Sequence, residues 1–208
     1  MEYLRAHEWA SEPWRHAVLY DVFDLHGAAY DPDASASTHR SFCVDVARTL
    51  FAVLGVRCGP GVVEEHASAL WRLIGPEGFV VFPGVERALG QLREQGYRLA
   101  IVSNWQRGLA GFCRALGLDA HVDVIIASAE VGFAKPDPRI FDLACNRLGR
   151  PPGAVLHVGD SPVDDVQGAT RAGLRAVLLQ RDGPPVGGVR TIRELGDIGT
   201  ILLSGSSP

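Results

Sequence analysis

The residues best equipped for chemistry lie in Val158-Gly159-Asp160-Ser161-Pro162-Val163-Asp164-Asp165, which follows directly on the apolar run Ala154-Val155-Leu156-His157-Val158. Carboxylates at the tip of a buried strand are costly to desolvate unless something pairs with them. Mg²⁺ suits the position, because it takes oxygen ligands and keeps coordination sites free for a phosphate. In open α/β sheets, ligands bind at the carboxyl ends of strands. Two further stretches have the same character. Leu99-Ala100-Ile101-Val102-Ser103-Asn104 is an apolar strand ending in small polar groups, where Ser103 and the next backbone N–H groups can grip a phosphate oxygen. In Glu130-Val131-Gly132-Phe133-Ala134-Lys135-Pro136-Asp137-Pro138, a glycine turn and a proline-rich turn enclose Lys135, a cation suited to neutralising a phosphoryl group. Taken singly, Ser-Asn also reads as a plain turn and an isolated lysine as solvated surface.

The elements that must position these residues change character near Phe82-Pro83-Gly84. Upstream, the signals are helical. Ser11-Glu12-Pro13 starts a helix through Trp14, Val18, Val22 and Leu25 that Gly27 ends, and Asp31 to Ser37 is a loop. Further helices are expected from Thr38 to Leu54 and from Gly61 to Leu73. Downstream, helices (Val85–Gln95, Leu109–Leu116, Pro138–Leu148, Pro162–Ala172) alternate with strands (Tyr97–Val102, Val122–Ala127, Ala154–Val158, Ala176–Gln180). That alternation predicts an α/β fold with a parallel sheet covered on both faces. A short last helix is expected from Thr191 to Leu195, followed by a tail at 204–208.

In this order, Ser103, Lys135 and Gly159-Asp160…Asp165 make the chain resemble the haloacid dehalogenase-like (HAD) hydrolase superfamily, in the subclass with a helical cap inserted after the first strand. Ile101-Val102-Ser103-Asn104 resembles its second motif, Gly132 to Phe141 its third and His157 to Asp165 its fourth. The resemblance implies a Rossmann-like core over 83–203, preceded by an N-terminal α-helical cap region over 1–82. It also implies a Mg²⁺-dependent phosphatase that forms an aspartyl-phosphate on a small phosphate ester. By the same resemblance, Ser103 hydrogen-bonds the phosphoryl group and Asn104 shapes that turn within the phosphate-binding set. Lys135 stabilises phosphoryl charge and orients the nucleophile, and Asp160 ligates Mg²⁺. Asp165 binds metal-bound water or pairs with Lys135, with Asp164 as the alternative in the metal set.

The family's first motif, Asp-x-Asp, is degenerate or missing. Its candidate is Val22 to Asp31, with Asp24 as nucleophile and His26 as acid/base; Asp21 fits worse, because Phe23 then takes the second carboxylate's place. The span from Asp24 to Pro83 holds two or three helices of ~12 residues. The other reading places Met1 already inside the cap, with the nucleophile strand absent. An inactive or truncated protein that retains a phosphate and Mg²⁺ pocket is then the alternative function. Dehalogenation is disfavoured, because it needs no metal.

Composition sets the remaining bounds. The 208 residues are 47% hydrophobic and 21% charged, with a formal net charge of −4. That balance suits a globular domain and attracts neither nucleic acid nor an anionic membrane. Cys43, Cys58, Cys113 and Cys145 form no C-x-x-C pair and read as buried free thiols, and the location expected is the cytoplasm. Trp105 reads either as a substrate contact or as cover for the sheet edge, and His157 as a satisfied core histidine.

Overall fold

The computed structural model describes residues 36–53, 55, 57, 59, 61–67, 79–105, 107–184 and 186–204. The expected Trp14–Leu25 helix, Asp21, Asp24, His26 and Cys58 lie outside the described residues. The first described element is helix α1 (Ala36–Val53). Its Cys43 and Ala47, spaced i,i+4, pack against Val63 and Ala67 of α2 (residues 61–67). The small side chains at this spacing form one face on each helix.

The downstream alternation is present. Helix α3 (Val85–Glu94) precedes strand β1 (Ala100–Ser103), and α4 (Leu109–Ala115) precedes β2 (Val124–Ala127). Two helices follow, α5 (Ser128–Val131) and α6 (Pro138–Leu148), and then β3 (Leu156–Gly159). Helix α7 (Gly168–Arg171), β4 (Arg175–Leu179), β5 (Thr191–Ile192) and α8 (Ile198–Ser204) complete the order. Strand β1 begins later than expected, because the Tyr97 N–H closes the end of α3 on the Leu92 carbonyl. The expected helix from Thr191 to Leu195 is replaced by β5. Thr191 and Ile192 are β-branched and suit a strand. A capping box between Glu194 and Asp197 then starts a helical turn that leads into α8, which includes Ser204.

Every strand pair is parallel: β1 with β2, β3 with β4 and β4 with β5. Side chains alternate between the faces. Ala100, Val102, Val124 and Ile126 meet Ile140, Phe141, Ala144 and Leu148 of α6. Leu156, Val158 and Val177 meet Leu92 of α3 and Ile198 and Ile201 of α8. Ile101 and Ile125 meet Leu109 and Cys113 of α4. The strands, which among the described residues form two sheets, β1-β2 and β3-β4-β5, therefore lie in the middle of three layers. Ile126, Ile140 and Phe141 are almost wholly buried, each contributing about 1.5–3 kcal/mol.

Among the described residues, β1 and β3 do not pair with each other, although the α6 core spans both sheets. All four residues of β1 and all four of β3 are only half-buried, whereas β2 and β4 contain fully buried positions.

Candidate active site

Ser103, Lys135 and Asp160 are each delivered by the carboxyl end of a parallel strand. Ser103 is the last residue of β1, Lys135 lies in the loop between α5 and α6 that follows β2, and Asp160 directly follows β3. A chain of hydrogen bonds joins the three positions.

The first link is Asn104. Its side-chain Nδ2 donates to the Lys135 carbonyl at 2.9 Å, and its Oδ1 accepts from the Lys135 N–H at 2.7 Å. Both ends of the amide are spent on the backbone of Lys135. Asn104 therefore braces the turn after Ser103 against the Lys135 loop. Asn104→Ala leaves both backbone groups without this partner. It is expected to lower stability by about 1–3 kcal/mol, read as a shift of the denaturant midpoint; an unchanged midpoint contradicts the brace.

Beyond Lys135 the loop is fastened by the start of α6. Pro138 occupies the first turn, and Asp137 caps the helix by accepting from the Arg139 N–H at 3.0 Å. The Arg139 guanidinium also closes on Asp137 and lies over the Phe133 ring.

The second link is Asp165. Its Oδ1 accepts from Lys135 Nζ at 2.6 Å and from His157 Nε2 at 2.8 Å, and its Oδ2 accepts from the Ser161 N–H at 2.9 Å. Only 2% of Asp165 is exposed, the one buried charged residue among the described residues, and the Lys135 side chain is 13% exposed. Of the two roles expected for Asp165, this geometry realises the pairing with Lys135. Its three donors come from the protein, and Asp160 and Asp164 are the more accessible carboxylates of the segment.

Local sequence explains how Asp165 arrives there. Ser161 caps the segment Pro162–Gln167, accepting from the Asp164 N–H at 3.0 Å. The first turn is wider than an α-turn, since the Val166 N–H reaches back five residues to the Ser161 carbonyl. Asp165 thereby turns under the end of β3, into the space left by the absent side chain of Gly159. A Cβ on Gly159 would lie 2.1 Å from Asp165 Cγ.

Burial alone would push the Asp165 carboxyl up. The His157 and Lys135 hydrogen bonds, the Lys135 charge and the Ser161 N–H outweigh it and hold the group well below the usual carboxylate range. A carboxyl depressed in the folded state stabilises the fold above its unfolded value of about 3.9, and that contribution fades as the pH falls below it. Between pH 5 and pH 3, the wild-type melting temperature is therefore expected to fall more steeply than that of Asp165→Asn. Parallel curves would contradict this.

His157 is the residue that sequence reasoning undervalued. It is satisfied, as expected, but its partner is the buried carboxylate of the site. The signal was its spacing: two residues before Gly159 on a strand, it shares that residue's face. Trp105 packs its ring between Phe79 and Phe112, and its buried indole N–H has no partner among the described residues. Cys43, Cys113 and Cys145 are buried free thiols, and burial raises Cys43 and Cys113 to about 11. No described helix is long and apolar enough to cross a membrane.

A hard dication calls for several oxygen ligands. Asp160 and Asp164 supply carboxylates of the right kind, but the described residues contain no converging group of three His, Cys, Asp or Glu side chains. The chemistry of the donors fits Mg²⁺, and the described ligand set is partial.

Lys135 has one further distinction. It is the only lysine of the chain, the other Lys/Arg positions all being arginine.

A family model described as haloacid dehalogenase-like hydrolase matches residues 41–173. The human haloacid dehalogenase-like hydrolase domain-containing protein 3 is 34% identical over 142 residues, covering 68% of this chain and 57% of that protein. The chain thus spans little more than half the length of that relative. A phosphoserine phosphatase of Thermus thermophilus is 32% identical over 176 residues, covering 81% of this chain and 68% of that protein. The crystal structure of a HAD phosphatase from Thermococcus onnurineus superposes with a TM-score of 0.62 at 26% identity, covering 90% of this chain and 79% of that one.

Proposed function

Because the chain belongs to the haloacid dehalogenase-like hydrolase family, we propose that it is a Mg²⁺-dependent phosphatase acting on a small phosphate ester through an aspartyl-phosphate. The observation that carries this reading is Lys135, whose ammonium lies 2.6 Å from buried Asp165 and whose backbone is held by Asn104, the residue beside Ser103. Phosphoryl transfer asks a protein chiefly for positioning and for stabilisation of charge on the phosphoryl oxygens. A half-buried cation held on a fixed anion supplies both.

In this mechanism Ser103 donates its hydroxyl to a phosphoryl oxygen and Lys135 faces the same group. A carboxylate oxygen of the chain attacks phosphorus, forming the new O–P bond as the ester O–P bond breaks. The acid/base group gives a proton to the departing oxygen. It then takes one from the water that cleaves the aspartyl-phosphate. Asp24 is the proposed nucleophile with His26 as acid/base, and Asp21, just before that stretch, fits worse. Asp160 and Asp164 would hold Mg²⁺, which when bound supplies positive charge to the phosphoryl oxygens. The free buried thiols support a reducing, cytoplasmic setting.

The test is phosphate release from an aryl phosphate and from phosphoserine, with and without Mg²⁺, against a Lys135→Ala control. Mg²⁺-dependent release that the control lacks is expected. Release at the control's level would favour a binding protein that keeps the phosphate pocket without turnover.

A further inference from the structure

We propose that His157 is a positioning residue for Lys135: by donating to the same oxygen of Asp165, it fixes the anion against which the ammonium is aimed. This rests on the reading of Lys135 as the cation of a phosphoryl-transfer site. A lysine ammonium is a compact charge on a flexible stem, and nothing in its own geometry directs it. Its direction comes from the partner. The carboxylate of Asp165 is held at Oδ2 by the Ser161 N–H alone, at 2.9 Å, which leaves it free to swing about that contact. The second donor from the protein frame is His157, at 2.8 Å from Oδ1, the oxygen that Lys135 uses at 2.6 Å.

His157 is itself well braced. It lies in β3, and its ring stands edge-on to Phe141 of α6, with centroids 5.1 Å apart and planes at 88°. Phe141 is 1% exposed and belongs to the main core. Rigidity therefore passes from the core through Phe141 and His157 to Asp165, and from there to Lys135. Since an ionised carboxylate only accepts, the geometry assigns a proton to His157 Nε2. Leucine at this position would fill similar space without the donor, and the carboxylate would keep one fixed oxygen.

The single lysine makes this directly readable. Protein labelled with ¹⁵N-lysine gives one side-chain ammonium resonance, from Lys135. His157→Leu is expected to shift or broaden that resonance and to lower kcat for aryl phosphate by about 10–100-fold, the scale seen when the partner behind a charged site group is lost. KM should change by less than about threefold on the same argument. His157→Gln, which offers an amide N–H at similar reach, should restore the resonance and most of kcat. His157→Val, suited to a strand, replaces the leucine variant if that one does not fold. An unmoved ammonium resonance in a folded His157→Leu or His157→Val protein overturns the proposal, as does a kcat unchanged per folded molecule. If the wild type releases no phosphate, the phosphatase reading fails, and the resonance still decides whether His157 positions Lys135.

Discussion

Lys135→Arg is expected to lower phosphate release by on the order of 10²–10³-fold while leaving the protein folded. The substitution keeps the charge, so a loss of activity isolates geometry. The Lys135 ammonium fits between Asp165 and the mouth of the site with 13% of its side chain exposed. A guanidinium is a planar fork, longer than the ammonium, and pairs best by presenting two N–H groups to two oxygens. Asp165 has few acceptor positions to spare, because His157 already occupies one on Oδ1 and the Ser161 N–H one on Oδ2, and a fork must fit around both donors. An arginine would therefore have to tilt, and its charge would sit away from the point that the lysine occupies.

Lys135→Met serves as the contrasting variant. It removes the charge and leaves Asp165 buried with only His157 and a backbone N–H, so it should cost about 3–5 kcal/mol of stability as well as activity. Denaturant midpoints and phosphate release, measured on both variants, separate the two effects. Retention of more than about half the activity by Lys135→Arg would mean that only charge matters at this position, and the positioning argument would fail.

Much of this site was legible in the sequence because each part is local. Apolar runs of four to six residues ending in Ser103 or Gly159 mark strands and their carboxyl ends together, and Pro138 and Gly149 bracket α6. The connections between parts were not legible. That the Asn104 amide is spent on the Lys135 backbone depends on two loops lying side by side, from strands paired in one register. The choice between Asp164 and Asp165 turned on a widened first turn after Ser161, which spacing alone does not reveal. Thr191-Ile192 was misjudged although both residues are β-branched and suit a strand, because a helical turn capped by Glu194 follows so closely. Only the place beside β4 decides between them.

Gly159→Ala is expected to be as damaging as the loss of Lys135, although it adds a single methyl group. The added carbon would meet Asp165 Cγ at 2.1 Å, Oδ2 at 2.3 Å and Cβ at 2.5 Å, all far inside van der Waals contact. Relief by a small shift is blocked on every side. The Asp165 carboxylate is tied to Lys135, His157 and Ser161, so moving it breaks charge-assisted hydrogen bonds in a buried place. Moving Gly159 instead pulls β3 from its pairing with β4, where Gly159 lies opposite Leu178, 1% exposed in the core. Overpacking a tight interior costs about 1–3 kcal/mol where side chains can yield. Here the yielding group is a buried carboxylate, so a loss of about 3 kcal/mol or more is expected, with activity falling in the protein that remains folded. The adjacent control is Gly153→Ala, at a position in the same half of the molecule where the added carbon would meet nothing within 4 Å. Its denaturant midpoint should match wild type. Equal midpoints for both variants would show that Asp165 can leave its place at little cost, and the account of Gly159 as the space that admits the carboxylate would be wrong.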